Sequence, residues 1–191
     1  LPKKVEVHGH RGAKARWPEN SIAGFRYAIE LGVDGIELDI AVTRDCELVV
    51  SHDPHIDEVA IRTISRPNLP TLDEVLALSP LGQFDFDLEI KSFPDQPELT
   101  PSPERFADLM LAAILRHGVA ARVNVLSFDF RTLRAMGEIA PGIRRSALYI
   151  GPARPFVEIA EDAGDTPIVS PHYTLVTPEE VAEDHVRGIR V

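Results

Sequence analysis

Positive charge is scarce in this chain, and so are sulfur, tryptophan and long apolar runs. Its 191 residues hold 20 Lys and Arg against 30 Asp and Glu, a net charge of −10 at pH 7. Phosphate backbones demand clustered Lys and Arg, so this balance excludes nucleic acid as the main partner. An anionic small molecule would need a local basic pocket set against the global field. The single cysteine, Cys46, leaves no internal disulfide and no indication of redox compartment, and between Asp45 and Glu47 it reads as incidental. No apolar run approaches the length of a membrane span, which argues against stable membrane insertion, and no signal-like segment is present. The chain opens on Leu1-Pro2-Lys3-Lys4 rather than Met, which points to a removed leader or tag or to residues outside the sequence. That start leans towards export to a periplasm over the cytoplasm. Nothing in the sequence speaks to oligomeric state.

What is present is an alternation. Val5 to His8 reads as a strand, and Trp17-Pro18-Glu19-Asn20-Ser21 opens a helix with Ile22, Phe25 and Ile29 at helical spacing and Gly32 as its stop. Gly35 to Asp53 reads as a strand pair turning around Thr43 to Asp45, and residues 54–70 read as a loop. Thr71-Leu72-Asp73-Glu74 is a capping box, Phe84 to Ile90 a strand, and Ser92 to Pro101 a proline-rich linker. Ser102-Pro103 starts a helix that Gly118 ends. Strands at Val123–Ser127, Ser146–Ile150 and Ile168–Ser170 then alternate with helices near Asp129–Ile139, Phe156–Glu161 and from Thr177, where Thr177-Pro178-Glu179-Glu180 is another capping box. After Gly188, Ile189-Arg190-Val191 begins one more strand.

Apolar strands alternating with amphipathic helices imply parallel βα units with both sheet faces covered. The count is six units and the start of a seventh, within one domain spanning 1–191. A doubly wound sheet would want a glycine-rich phosphate turn after its first strand, and there is none. The expected fold is therefore a TIM (β/α)₈ barrel with an antiparallel hairpin after its second strand. Such barrels run to about 250 residues, so this one is expected to lack its last one or two units.

Residues at the C-terminal ends of barrel strands converge on one mouth. There the sequence places His10 and Arg11, Glu37 and Asp39, Glu89 and Lys91, and His172, with His52 and Asp53 arriving by the hairpin. Glu37 and Asp39 share one strand face, and two carboxylates so placed repel unless a cation or proton lies between them. Alone, such a pair reads as the wet side of an amphipathic hairpin, Glu89-Ile90-Lys91 as a salt-bridged strand end, His10-Arg11 as a solvated basic pair, and His172 as a hydrogen-bonded loop histidine. Together they form an oxygen-rich site suited to Mg²⁺ or Ca²⁺ rather than Zn²⁺, since no Cys lies near and the histidines lack zinc spacing. Arg11 and Lys91 supply the local positive charge that a phosphate ester asks for. Two histidines supply general acid and base. His8 and His55 read as bystanders.

His10-Arg11-Gly12, Pro18-Glu19-Asn20-Ser21 with Phe25 and Ala28, Glu37-x-Asp39-x-x-x-Thr43-x-Asp45, Ser51-His52-Asp53 and Glu89-x-Lys91 together resemble the glycerophosphodiester phosphodiesterase family. The resemblance implies a TIM barrel that hydrolyses small glycerophosphodiesters to sn-glycerol 3-phosphate and an alcohol. It implies one divalent cation, Ca²⁺ or Mg²⁺, on Glu37, Asp39 and Glu89, with His10 and His52 as the acid–base pair. The mechanism it implies has a glycerol hydroxyl attack phosphorus, expel the alcohol and leave a cyclic phosphate that water opens. Arg11 and Lys91 would hold the phosphate, Glu19, Asn20 and Asp53 would support the site, and Phe128 and His172 would wall the pocket. Cys46 stands where the family has glycine, a turn change of little mechanistic weight, and the loop after His55 is plain. The chain ends where the family continues into a Trp-containing strand and a final strand. A lysophospholipase D-like activity would need an apolar groove at the mouth, and a non-catalytic phosphodiester-binding protein would be expected to lack one of these residues.

Overall fold

The computed structural model describes residues 5–191. In chain order the elements are β1 (His8–Gly9), α1 (Ile22–Glu30), β2 (Gly35–Val42), β3 (Leu48–Val50), β4 (His55–Ile56), β5 (Val59–Ala60) and α2 (Leu72–Leu76). There follow β6 (Asp85–Ile90), α3 (Pro103–His117), β7 (Val123–Ser127), α4 (Phe130–Ile139), β8 (Arg144–Tyr149), α5 (Phe156–Asp162), β9 (Ile168–Pro171) and α6 (Pro178–Val186). The main strands lie in the order β1-β2-β6-β7-β8-β9, each pair parallel, with β3 antiparallel on β2. That order never doubles back, so the sheet is the curling wall of a (β/α)₈ barrel and not a doubly wound sheet. Among the described residues β1 and β9 do not pair with each other. Beyond β9, Arg190 bridges in parallel to Ile168 and begins the next strand position.

Sequence chemistry explains the helix ends. Ser21 accepts from the Gly24 amide, Thr71 and Glu74 complete a reciprocal capping box, and Ser102 with Pro103 starts α3, which Gly118 ends in the left-handed region. Thr177 caps α6 as expected, yet Glu180 does not reach back to close a box. Its carboxylate instead accepts from the Phe156 amide (3.2 Å), capping α5, whose own N-cap is a proline without a side-chain acceptor. The core lies between sheet and helices and holds Phe25, Phe86, Phe106 and Phe156 with Ile36, Leu38 and Leu88, all fully buried. Each contributes about 1.5–3 kcal/mol by leaving water.

Three expectations are corrected. Val5 to Val7 do not form a strand: Val5 and Val7 are exposed, and Val7 is tied instead to Asp34 through its amide and carbonyl. Residues 54–70 are not plain loop, because β4 and β5 pair as a small hairpin and Ile61 packs with Ala41 and Val49 in a satellite cluster. The fifth parallel strand starts at Arg144 rather than Ser146. Consecutive arginines hide it in the sequence, but Arg144 pairs with Asp85 (2.8 Å) while Arg145 passes outward to the carbonyls of Leu133 and Gly164.

The β2–β3 turn explains Thr43-x-Asp45. The Thr43 hydroxyl donates to Asp45 (2.6 Å) and accepts from the Glu47 amide (3.0 Å), which forces Cys46 to φ +66°. Left-handed backbone is strained for a residue with a Cβ. Replacing Cys46 by glycine is expected to raise stability by about 0.5–1 kcal/mol in urea denaturation, with an unchanged denaturant slope.

Candidate active site

Three strand ends build the site. On β2, Glu37 and Asp39 face the barrel interior, and Asp39 lies in register with Glu89 on β6. One oxygen from each of Glu37, Asp39 and Glu89 lies within 4.8 Å of the others. Arg11 and Asn20 hold this cluster from the β1–α1 loop, both in left-handed backbone (φ +51° and +56°). The loop folds this way because Gly12, at φ +80°, packs where any Cβ would meet the backbone of α1 at 3.0 Å. The Arg11 amide then donates to Glu37 (2.8 Å), and its guanidinium lies 3.3 Å from Asp39 and 3.1 Å from both oxygens of Glu19. Asn20, buried, donates to Asp39 (2.9 Å). Such strain gathers where geometry is over-determined.

From the other side, Lys91 donates to Glu89 (2.8 Å) and lies 3.6 Å from Asp39. His10 stands 3.7 Å from Glu37, more than half exposed. The Ser51 amide bonds the Asp39 carbonyl (3.0 Å), so the hairpin delivers His52 just above the same strand end. His52 pairs through Nδ1 with the exposed Asp53 (2.8 Å), and its charge acts on Glu89 through space. Burial, then repulsion from Asp39, pushes the Glu37 carboxyl from 4.5 up to about 8. Burial also raises Glu89, against the pull of Lys91. Burial lowers His10, and the charges of Lys14 and Arg11 lower it further. Two buried carboxylate oxygens, Glu37 Oε1 and Asp39 Oδ1, have no hydrogen-bond partner among the described residues, and the second has only the longer ion pair to Lys91. Carboxylate oxygens left without a hydrogen bond beside one another are what a hard divalent cation takes as ligands, so the residues fit one.

Ten of the expected residues therefore meet in one place. Phe128, at the end of β7, is half exposed and makes no polar contact with the carboxylates. His172, past β9, bonds Thr174 (2.8 Å) and packs on Tyr173 with ring centroids 4.5 Å apart, also without contact to the cluster. His8, read as a bystander, has a structural tie outside the carboxylate cluster: it bonds Asp87, which also accepts from Asn124 (3.0 Å) and lies in register with Glu37, one inward position before Glu89. Sequence reading also missed Ser92, Ser127 and Asp129. Ser127 bonds the Ile90 carbonyl (3.2 Å) and Ser92 bonds Asp129 (2.6 Å), bracing the strand end that carries Lys91. The alternation of strand faces could have flagged His8, Asp87 and Asn124, but nothing in the sequence marks the serine brace.

Carboxylates, histidines and cations gathered at the C-terminal ends of parallel barrel strands occupy the position where barrel enzymes carry their active sites. A sequence model of the glycerophosphoryl diester phosphodiesterase family matches residues 10–63. A glycerophosphodiester phosphodiesterase of Caldanaerobacter subterraneus subsp. tengcongensis is 34% identical over 171 residues, 76% of this chain and 67% of that protein. Crystal structures of glycerophosphodiester phosphodiesterases from Parabacteroides distasonis and Thermotoga maritima superpose with TM-scores of 0.81 and 0.76 at 27% and 25% identity. They cover 96% and 99% of this chain and 81% and 84% of theirs. The chain belongs to the glycerophosphodiester phosphodiesterase family, a class of phosphoric diester hydrolases. It spans about two thirds of the length of the curated relatives it matches.

Glu37 makes stability pH-dependent in a stated direction. It ionises near 4.5 when exposed in the unfolded chain and near 8 in the fold, so the unfolded state loses its proton first. Stability in chelator then falls as pH rises through that window, and the loss is complete above about 8. Melting curves of wild type and Glu37→Gln between about pH 5 and 9 should diverge, with the variant relatively more stable at the alkaline end. Parallel curves would show that Glu37 ionises normally.

Proposed function

We propose that this chain hydrolyses glycerophosphodiesters to sn-glycerol 3-phosphate and an alcohol, with a divalent cation, Ca²⁺ or Mg²⁺, and with His10 and His52 as the acid–base pair. The observation that carries this reading is the carboxylate cluster on β2 and β6, flanked by two imidazoles and two fixed cations. Once all three are ionised, as ligands to a cation must be, Glu37, Asp39 and Glu89 outnumber Arg11 and Lys91 by one charge. A doubly charged ion reverses that into a single positive excess, which matches the one negative charge of a phosphodiester.

Glu37, Asp39 and Glu89 would hold the cation, which when bound supplies positive charge for the phosphate oxygens and eases loss of a hydroxyl proton. Arg11 and Lys91 orient the non-bridging oxygens, the first as a rigid fork braced by Glu19 and the second as a point charge. One imidazole accepts the proton of the attacking glycerol hydroxyl while the other protonates the departing alcohol oxygen. When water opens the cyclic phosphate, the two exchange roles. Asp53 holds one nitrogen of His52, which leaves the other for the proton in flight. Asn20 fixes Asp39 in place.

Release of choline or ethanolamine from the corresponding glycerophosphodiester should require added cation and stop with chelator. His10→Ala and His52→Ala should each lower kcat by about 10²- to 10⁴-fold. Undiminished turnover in chelator or in either variant rules this mechanism out. Faster release from a monoacyl lipid would point to lysophospholipase D chemistry, and tight binding without turnover to a binding protein.

A further inference from the structure

Beside His10, and lined by none of the three clustered carboxylates, lies a shallow hollow between the β1–α1 loop and α1. Its lining is Gly12, Ala13, Ala15, Tyr27 and Leu31, with Lys14 and Arg16 among them and His10 at one end. The surface is almost wholly apolar apart from those two cations. Both cationic side chains are exposed, and among the described residues neither forms a hydrogen bond or ion pair with an acid. Glu19, a carboxylate of the same loop, is engaged by Arg11.

A phosphodiester has two arms, and the site treats them differently. The glycerol arm carries two free hydroxyls, one of which must reach phosphorus, so it belongs among the carboxylates and imidazoles. The hollow offers an apolar wall with few acceptors and so gives those hydroxyls nothing that water does not. We propose that the hollow receives the alcohol arm, and that Lys14 and Arg16 select alcohols bearing a carboxylate, such as zwitterionic serine, over quaternary ammonium alcohols such as choline. The inference rests on the proposed diester hydrolysis and adds to it the class of head group. A choline arm would bring its fixed charge against two like charges. The lone Tyr27 ring is too little to offset them, since cations favour cages of several rings. A carboxylate on the arm meets the same charges as partners, with the serine ammonium turned to solvent at the open side of the hollow.

The test compares kcat/KM for glycerophosphoserine and glycerophosphocholine in the full chain, with the same added cation, following sn-glycerol 3-phosphate. The wild type should favour the serine ester by about five- to tenfold, the scale of two partly exposed charge contacts. The preference should narrow as salt is added. Lys14→Gln with Arg16→Gln should bring the ratio near unity, and Lys14→Glu with Arg16→Glu should reverse it. A wild-type ratio at or below one, or a ratio that neither double variant moves, overturns the assignment while leaving diester hydrolysis standing. Turnover of neither ester overturns diester hydrolysis itself, and the assignment with it.

Discussion

Three carboxyl groups crowded where water reaches poorly are the constraint around which this molecule is arranged. Glu37, Asp39 and Glu89 are held side by side by nothing more flexible than two adjacent strands in register. Their mutual repulsion is only partly offset by Arg11 and Lys91. The fold keeps them in place because the surrounding core is well packed and because Arg11 and Asn20 are fixed in left-handed conformations that direct their donors inward. Pre-organisation of this kind is costly in a resting protein and useful in an enzyme, since no rearrangement is needed when charge develops on the substrate.

The environment sorts chemically similar side chains into different tasks. Glu19 and Asp53 are solvated carboxylates that hold an arginine and a histidine, whereas Glu37 resists ionisation because burial and Asp39 both oppose its charge. His8 and His10 are two residues apart, the first on β1 and the second in the turn that follows it. One is bound to Asp87 beneath the site, and the other stands open at the mouth. Position along the barrel axis, not residue type, makes one a structural tie and the other available to a ligand.

Much of this was legible in the sequence because the strongest signals are local. The Thr71–Glu74 box, the Ser102-Pro103 start, Gly118 and the fully buried apolar strands each report on a few neighbouring residues, and these elements form as read. The carboxylate cluster was legible for a related reason: parallel strands place their ends together whatever the intervening helices do. The failures share one cause, dependence on partners distant in sequence. Arg144 and Arg145 look unlike a strand until Asp85 and two carbonyl oxygens absorb their charge. Glu180 looks like half of a local box until Phe156 offers an amide across a helix boundary. The small hairpin at β4 and β5 hides in a segment without period because it has only two residues per strand.

The β2–β3 hairpin has a consequence for how chemistry and recognition are divided along the polypeptide. Because it carries His52 back to the top of the strand that bears Glu37 and Asp39, both imidazoles, two of the three acids and the guanidinium come from the first 52 positions. Only Glu89 and Lys91 are added from further along. Contacts so close in sequence form at low entropic expense, which suits this segment to early assembly during folding. Under the proposed mechanism the chain beyond Lys91 supplies no reacting group, so the outer rims of the later units are free to diverge in the esters they admit without disturbing how the bond is broken.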